Sequence, residues 1–102
     1  MILMFDMSWL RETSRDVFNC WQDQESKLPV PDFLTVQGPY WYQTDSGIGN
    51  AFTLYEVDRS KLADAYDYLT TVSRMYINIP GIKWKIKICL ERDHIERTTP
   101  PT

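Results

Sequence analysis

The chain has 102 residues, with 11 Lys or Arg against 14 Asp or Glu and a formal net charge of −3. This length can bury one modest core, so a single domain is expected. The lack of a basic excess argues against a nucleic-acid partner, because such proteins neutralise phosphates with Lys and Arg. A hydrophobic content of 43% that includes 14% aromatic residues excludes a disordered chain. A membrane span needs roughly 18 consecutive apolar residues, which the sequence lacks; we therefore expect no membrane contact.

The cysteine content agrees with a cytoplasmic location. Cys20 and Cys89 are far apart in the sequence and form no CxxC motif. Secreted domains held by disulfides usually carry about four or more cysteines. Both thiols are therefore expected to be reduced.

The first strand is predicted over residues 2–9, where side chains alternate between two faces. One of these faces is wholly apolar, which is typical of a sheet that is fully covered on one side. Its members are Leu3, Phe5, Met7 and Trp9.

Two helices are predicted from apolar positions that recur at steps of three and four residues. The first is expected to begin at a cap formed by Thr13 or Ser14 and to end near Lys27, before a proline. The second is expected to begin at a cap formed by Asp58 or Ser60. Its apolar positions are Leu62, Ala65, Tyr66, Leu69, Val72, Met75, Tyr76 and Ile79.

Three further strands are predicted. The second covers residues 33–42 and is interrupted by Gly38-Pro39, so we expect it to lie at a sheet edge or to bend there. The third covers residues 51–57 and forms a hairpin with the second through the turn-forming residues 43–50. The fourth covers residues 82–90, where apolar and polar side chains alternate with almost no exception.

This β-α-β-β-α-β order predicts a ferredoxin-like α+β fold, with a four-stranded antiparallel sheet and both helices on one face. The first and third strands are expected at the centre, parallel to each other, with the fourth and second strands outside. Residues 1–91 are expected to form this single domain. Residues 92–102 are polar with two prolines and are expected to form a C-terminal tail.

Three stretches of the chain resemble the dimeric α/β-barrel superfamily, and within it the small uncharacterised bacterial members. They are residues 1–5, the hairpin residues 38–42 through 45–49, and residues 54–58 before the second helix. The resemblance covers about residues 1–91. It implies ferredoxin-like subunits that pair sheet to sheet, and therefore a homodimer. Enzymes of this superfamily include quinone-forming monooxygenases, haem-degrading oxygenases and lactone isomerases.

No cofactor is expected. The haem-degrading enzymes use a helix histidine with a nearby Asn and Trp, whereas here the only histidine, His94, lies in the predicted tail, away from Asn19 and Trp21. One histidine and two distant cysteines cannot form a tetrahedral metal site. The glycines of residues 47–49 lack the third glycine and the lysine of a phosphate-binding loop.

A row of lysines follows one face of the fourth strand, at Lys83, Lys85 and Lys87. The simpler interpretation is a ladder of charged cross-strand pairs at a solvated surface or a dimer interface, with acidic partners on neighbouring strands. The functional interpretation is that these lysines line a barrel interior and attract a small anion. The expected neighbours on the first and third strands are Asp6 and either Glu56 or Tyr55.

Three consecutive aromatic residues, Tyr40, Trp41 and Tyr42, must occupy both faces of the second strand. They are expected either to pack in the core and at a dimer contact or to line an aromatic pocket. The other aromatic candidates for such a pocket are Trp9, Trp21, Tyr66 and Trp84.

Two functions remain open at this point. The first is a homodimeric domain that binds a small molecule, with a small aromatic compound as the candidate ligand, or serves a structural role, without a metal or nucleotide cofactor. The alternative is a cofactor-independent enzyme of monooxygenase or isomerase type, which acts on a small aromatic substrate between sheet and helices. Glu56, expected to be buried, is the first candidate for its general base, with Asp6 and Tyr55 as further proton-transfer candidates.

Overall fold

The computed structural model describes residues 1–44 and 48–89. Its strands are β1 (Ile2–Trp9), β2 (Leu34–Gln43), β3 (Gly49–Val57) and β4 (Lys83–Cys89), and its helices are α1 (Ser14–Lys27) and α2 (Leu62–Met75). Short 3-10 turns, Arg11–Thr13 and Arg59–Lys61, precede the two helices. The predicted end of the fourth strand at Leu90, the predicted tail and residues 45–47 of the hairpin lie outside the described residues.

The four strands form one sheet in the order β2-β3-β1-β4, and each neighbouring pair is antiparallel. This topology and the element order confirm the predicted ferredoxin-like α+β class. The expectation that β1 and β3 are parallel is wrong, since they pair antiparallel with Leu3 opposite Tyr55. The reason is geometric: the crossover through α1 returns β2 in the direction of β1, and the hairpin then reverses the chain for β3.

Strand β2 is an edge strand and is also bent, as the Gly38-Pro39 pair predicts. Gln37 lies opposite Leu54, but the next paired residue, Tyr40, lies opposite Phe52, so β2 carries one extra residue there. Gly38 has a φ of 102°, a left-handed conformation that glycine adopts without steric cost. This bulge reverses the alternation of side chains along the rest of β2.

The hydrophobic core lies between one face of the sheet and the two helices, and we call that side of the sheet the helix-covered face. All four apolar residues of the alternating set in β1 are buried there, as predicted. The core also takes its side chains from β3 and from both helices: Ala51, Tyr55, Val57, Val17, Ala65, Leu69 and Val72.

The helix starts differ from one another. Neither Thr13 nor Ser14 caps α1, because their hydroxyls donate to the carbonyl oxygens of Leu10 and Arg11, at 2.9 and 2.8 Å. Asp58 does act as a cap, since its Oδ1 accepts the backbone N–H of Ser60 at 3.0 Å. It caps the 3-10 turn that leads into α2.

The opposite side of the sheet, here called the open face, is not covered by either described helix. On β1 and β3 it presents half-buried apolar residues near its centre, including Met4, Phe52 and Leu54. The lysine row of β4 forms one margin of this face. Within the described part of the chain, neither helix has the length and apolar character needed to span a membrane.

Candidate functional site

A cavity of about 340 Å³ lies between the helix-covered face and α1, beside the edge strand β2. Its lining is mostly apolar, and it reaches the surface at the exposed residues Glu25, Pro29 and Val30 near the C-terminal end of α1 and at Gly38 and Trp41 on β2. Side chains of β1, β2 and β3 form its floor: Phe5, Met7, Val36, Trp41, Ala51, Thr53 and Tyr55.

Two tryptophans form an aromatic end of the cavity. The rings of Trp21 on α1 and Trp41 on β2 lie 5.9 Å apart at an interplanar angle of 81°. Phe18 contacts both rings, and Trp9 contacts Trp41 from the far side at 5.3 Å. Trp41 therefore separates the cavity from a second, more open groove of about 540 Å³, which Trp9 and Phe18 also line. Edge-to-face contacts, as in the Trp21–Trp41 and Trp9–Trp41 pairs, are a preferred geometry of aromatic side chains.

A cluster of hydroxyl groups around Gln24 forms the polar end. The Tyr76 hydroxyl donates to Gln24 Oε1 at 2.6 Å, and the Tyr68 hydroxyl donates to the Leu28 carbonyl oxygen at 2.9 Å. Tyr55 lies against Tyr68, with ring centroids 6.4 Å apart. Burial raises the pKa of all three tyrosines above the ordinary value. At neutral pH these hydroxyls are therefore protonated hydrogen-bond donors, not bases.

The carboxylates proposed for proton transfer lie on the open face and do not reach the cavity. Asp6 Oδ2 is 3.5 Å from Lys87 Nζ, an ion pair between β1 and β4. Glu56 is exposed, so the expectation that it is buried is wrong. The reason is its position on β3, whose alternate residues Thr53, Tyr55 and Val57 take the buried side. Of the three proton-transfer candidates, Tyr55 lines the cavity.

The six aromatic pocket candidates are distributed over several environments. Trp21 and Trp41 line the cavity, while Trp9 lines the adjoining groove. The other three do not line the cavity: Tyr40 stacks on Phe52 on the open face, and Tyr66 and Trp84 are half-buried against the core.

The lysine row lies on the margin of the open face, and all three side chains are exposed. Lys83, Lys85 and Lys87 lie opposite Ser8, Asp6 and Met4, respectively. The Lys87 pair with Asp6 is a cross-strand ion pair of the kind expected from the simpler interpretation. A role for the row at an interface or with an anion stays a prediction.

The sequence interpretation missed the polar end of the cavity. Gln24 lies three residues after Trp21 and four before Leu28, so it falls on the inward stripe of α1. The hydroxyl of a buried tyrosine usually has a hydrogen-bond partner. Tyr76 belongs to the predicted apolar stripe of the second helix, so its hydroxyl needs an acceptor in the core. These two signals together indicate a polar contact between the helices.

No metal centre is formed by the residues described, among which no group of three His, Cys, Asp or Glu is suitably placed. Both cysteines are free thiols. Cys20 donates its S–H to the Met75 carbonyl oxygen at 3.2 Å on the helix side, whereas Cys89 pairs with Ile2 on the open face. His94 lies outside the described residues.

Comparison with known proteins bears on the fold only. No protein-family model and no curated protein matches the sequence. Among solved structures, the de novo designed protein Foldit4 is similar with a TM-score of 0.53 and 8% identity, over 89% of this chain and 97% of the designed one. A tripeptidase from Staphylococcus aureus subsp. aureus Mu50 gives a TM-score of 0.45 at 8% identity, and the match covers 84% of this chain and 28% of the tripeptidase chain.

An identity of 8% to the designed protein indicates a shared fold without a shared activity. Membership of the dimeric α/β-barrel superfamily stays a prediction. The chain has a small ferredoxin-like α+β fold, with four antiparallel strands and two helices on one side.

Proposed function

We propose that this protein binds a small, mostly apolar aromatic molecule in the cavity between the sheet and α1, without a metal or nucleotide cofactor. The observation that carries this proposal is a cavity of about 340 Å³ with two tryptophans at one end and a hydrogen-bonded Gln24 cluster at the other. Ligand sites of roughly 300–1,000 Å³ are typically apolar with a few convergent polar groups. The cavity has both the size and the chemistry of such a site.

The two ends of the cavity suit different parts of one ligand. A planar ring can pack against Trp21 and Trp41, where an aromatic contact contributes about 0.5–1.5 kcal/mol beyond the buried area. A polar substituent can reach the Gln24 side chain, whose amide both donates and accepts hydrogen bonds. A ligand with an aromatic body and one or two polar groups matches this arrangement.

Binding without chemistry is supported better than the enzymatic alternative. A cofactor-independent monooxygenase or isomerase needs a base that can take a proton in the pocket. Asp6 and Glu56 lie on the other face of the sheet, and burial raises the pKa of Tyr55, so its hydroxyl keeps its proton and does not serve as the base. Glu25, the carboxylate that does line the cavity, is exposed to solvent, so the described lining holds no buried carboxylate base.

The ligand proposal is tested with Val36→Phe, which adds a ring to the cavity floor. Aromatic and quinone-like compounds that raise the melting temperature of the unmodified protein are expected to bind this variant at least about tenfold more weakly, because the ring occupies their space. The measurement is a thermal-shift screen followed by titration calorimetry.

Ile88→Phe provides the matched control, since it adds the same ring to the helix-covered face of β4, outside the cavity. The affinities of the same compounds for Ile88→Phe are expected to equal those for the unmodified protein. Compounds that bind equally well to Val36→Phe would show that the cavity is not the binding site.

For its partner, we propose a homodimer formed through the two open faces. The support is the apolar centre of this face, with Met4, Phe52 and Leu54 half-buried on the central strands, and the lysine margin on β4. An apolar centre with a polar rim is the usual anatomy of a protein interface.

Leu54→Lys is expected to convert such a dimer into a monomer, because it places two charges of the same sign at the centre of the interface. Light scattering at micromolar concentration is expected to give twice the 12.1 kDa chain mass for the unmodified protein and the single-chain mass for this variant. Ala63→Lys, on the exposed side of α2, is the control and is expected to remain dimeric. A single-chain mass for the unmodified protein would exclude the dimer at that concentration.

A further inference from the structure

The charged side chain in the lining of the cavity is acidic. Among the described residues that line it, Glu25 is the one carboxylate, and neither lysine nor arginine contributes. Lys27, the basic residue in the last turn of α1, pairs with Asp23 at 4.0 Å and does not line the cavity. A ligand that enters the cavity therefore meets a carboxylate at the opening.

The end of α1 adds to this negative field. The helix ends at Lys27, and three residues of its last turn or just beyond it, Gln24, Glu25 and Leu28, line the cavity. Backbone carbonyls give a helix C-terminus a partial negative charge, which stabilises cations placed within about one turn of it. The Glu25 carboxylate and the C-terminal end of α1 thus both favour a positively charged ligand.

The aromatic end receives the ring of the ligand, not its charged group. The rings of Trp21 and Trp41 stand nearly perpendicular, at 81°, and offer edge and face contacts of the kind that aromatic pairs prefer. The Tyr68 and Tyr76 hydroxyls already donate to the Leu28 carbonyl oxygen and Gln24 Oε1, so their protons are engaged within the protein and are not offered to an anionic ligand.

We propose that the cavity selects positively charged aromatic amines over aromatic acids, and that Glu25 is the residue that determines this specificity. The inference rests on the proposed function. The ammonium group lies at the opening beside Glu25, and the ring points inward to Trp21 and Trp41.

Three indole compounds of similar size test the inference by titration calorimetry: tryptamine, which is cationic, tryptophol, which is neutral, and indole-3-acetate, which is anionic. Attraction of the cation and repulsion of the anion at an exposed carboxylate together predict about tenfold tighter binding of tryptamine than of indole-3-acetate. Tryptophol is expected to bind with intermediate affinity. In Glu25→Gln the three affinities are expected to agree within about threefold, with that of tryptophol unchanged.

Asp23→Asn is the matched control, because it removes an exposed acid from the same helix that does not line the cavity. It is expected to keep the preference for tryptamine. Equal affinities in the unmodified protein, or a preference that survives in Glu25→Gln, would overturn the specificity and leave the binding site intact. If none of the three compounds binds, the proposed function fails for this ligand class, and the specificity fails with it.

Discussion

Replacing Gln24 by Leu is expected to lower the free energy of unfolding by about 1–3 kcal/mol, because it leaves a buried hydroxyl without an acceptor. Tyr76 is only 1% exposed, and its hydroxyl donates to Gln24 Oε1 at 2.6 Å. Leu is close to Gln in size, so the change removes the hydrogen bond with little loss of volume. Urea unfolding followed by circular dichroism measures the difference. Gln22→Leu, at an exposed position of the same helix, is the control and is expected to stay within about 0.5 kcal/mol.

The reverse change, Tyr76→Phe, is expected to cost less than Gln24→Leu. It leaves Gln24 Oε1 unpaired, but Gln24 is only half-buried and water can replace the lost donor. The double variant, Gln24→Leu with Tyr76→Phe, is expected to lose less stability than the sum of the two single variants, because it leaves no buried polar atom of this pair unmatched. Strictly additive losses would mean that the hydrogen bond does not couple α1 to α2.

Gly49→Ala is expected to destabilise the protein by about 1–3 kcal/mol, although the same change at an unstrained site stabilises by about 0.4–1 kcal/mol. A Cβ atom at Gly49 would overlap the indole of Trp9. That indole is 4% exposed, donates from Nε1 to Ser14 Oγ at 3.1 Å and supports Trp41, the wall of the cavity. The ring therefore cannot move without breaking other contacts. Denaturant unfolding measures whether Gly49→Ala lowers or raises the free energy of unfolding, and near-ultraviolet circular dichroism reports changes in the tryptophan environment.

Trp9→Leu supplies the background that isolates this overlap. The overlapping atoms belong to the indole at Nε1, Cε2 and Cζ2, and a leucine side chain ends at its Cδ atoms, short of these positions. In this background, Gly49→Ala is expected to cost clearly less than in the unmodified protein. An unchanged cost in both backgrounds, or a stabilised Gly49→Ala variant, would contradict the close contact between the Gly49 backbone and Trp9.

The strands follow closely from the local pattern. The predicted first strand, residues 2–9, agrees with the observed β1, because its apolar side chains alternate without interruption and all lie in the core. The second helix is shorter than its apolar stripe suggests, since α2 ends at Met75 and Tyr76 is held by a turn-type bond to Ser73. Side-chain burial continues past that point, while the helical backbone does not.

The candidate site could be predicted only in part. The sequence places Trp21 on the inward stripe of the first helix, but it cannot tell which of Tyr40 and Trp41 faces the helices. Strict alternation from Leu34 and Val36 would turn Tyr40 inward. The bulge at Gly38-Pro39 shifts the alternation by one residue, so Trp41 lines the cavity and Tyr40 lies on the open face.

The sequence by itself determined the order of strands and helices, the buried side of β1 and the edge position of β2, because periodicity and proline chemistry act over a few residues. The relative direction of β1 and β3, the exposure of Glu56 and the contact between Gln24 and Tyr76 were decided by the tertiary structure. Each of these depends on which segments meet in space, and the last joins residues 52 positions apart. Local patterns specify how side chains alternate along an element, but only the packed chain determines which side is buried and which side chains meet around a cavity.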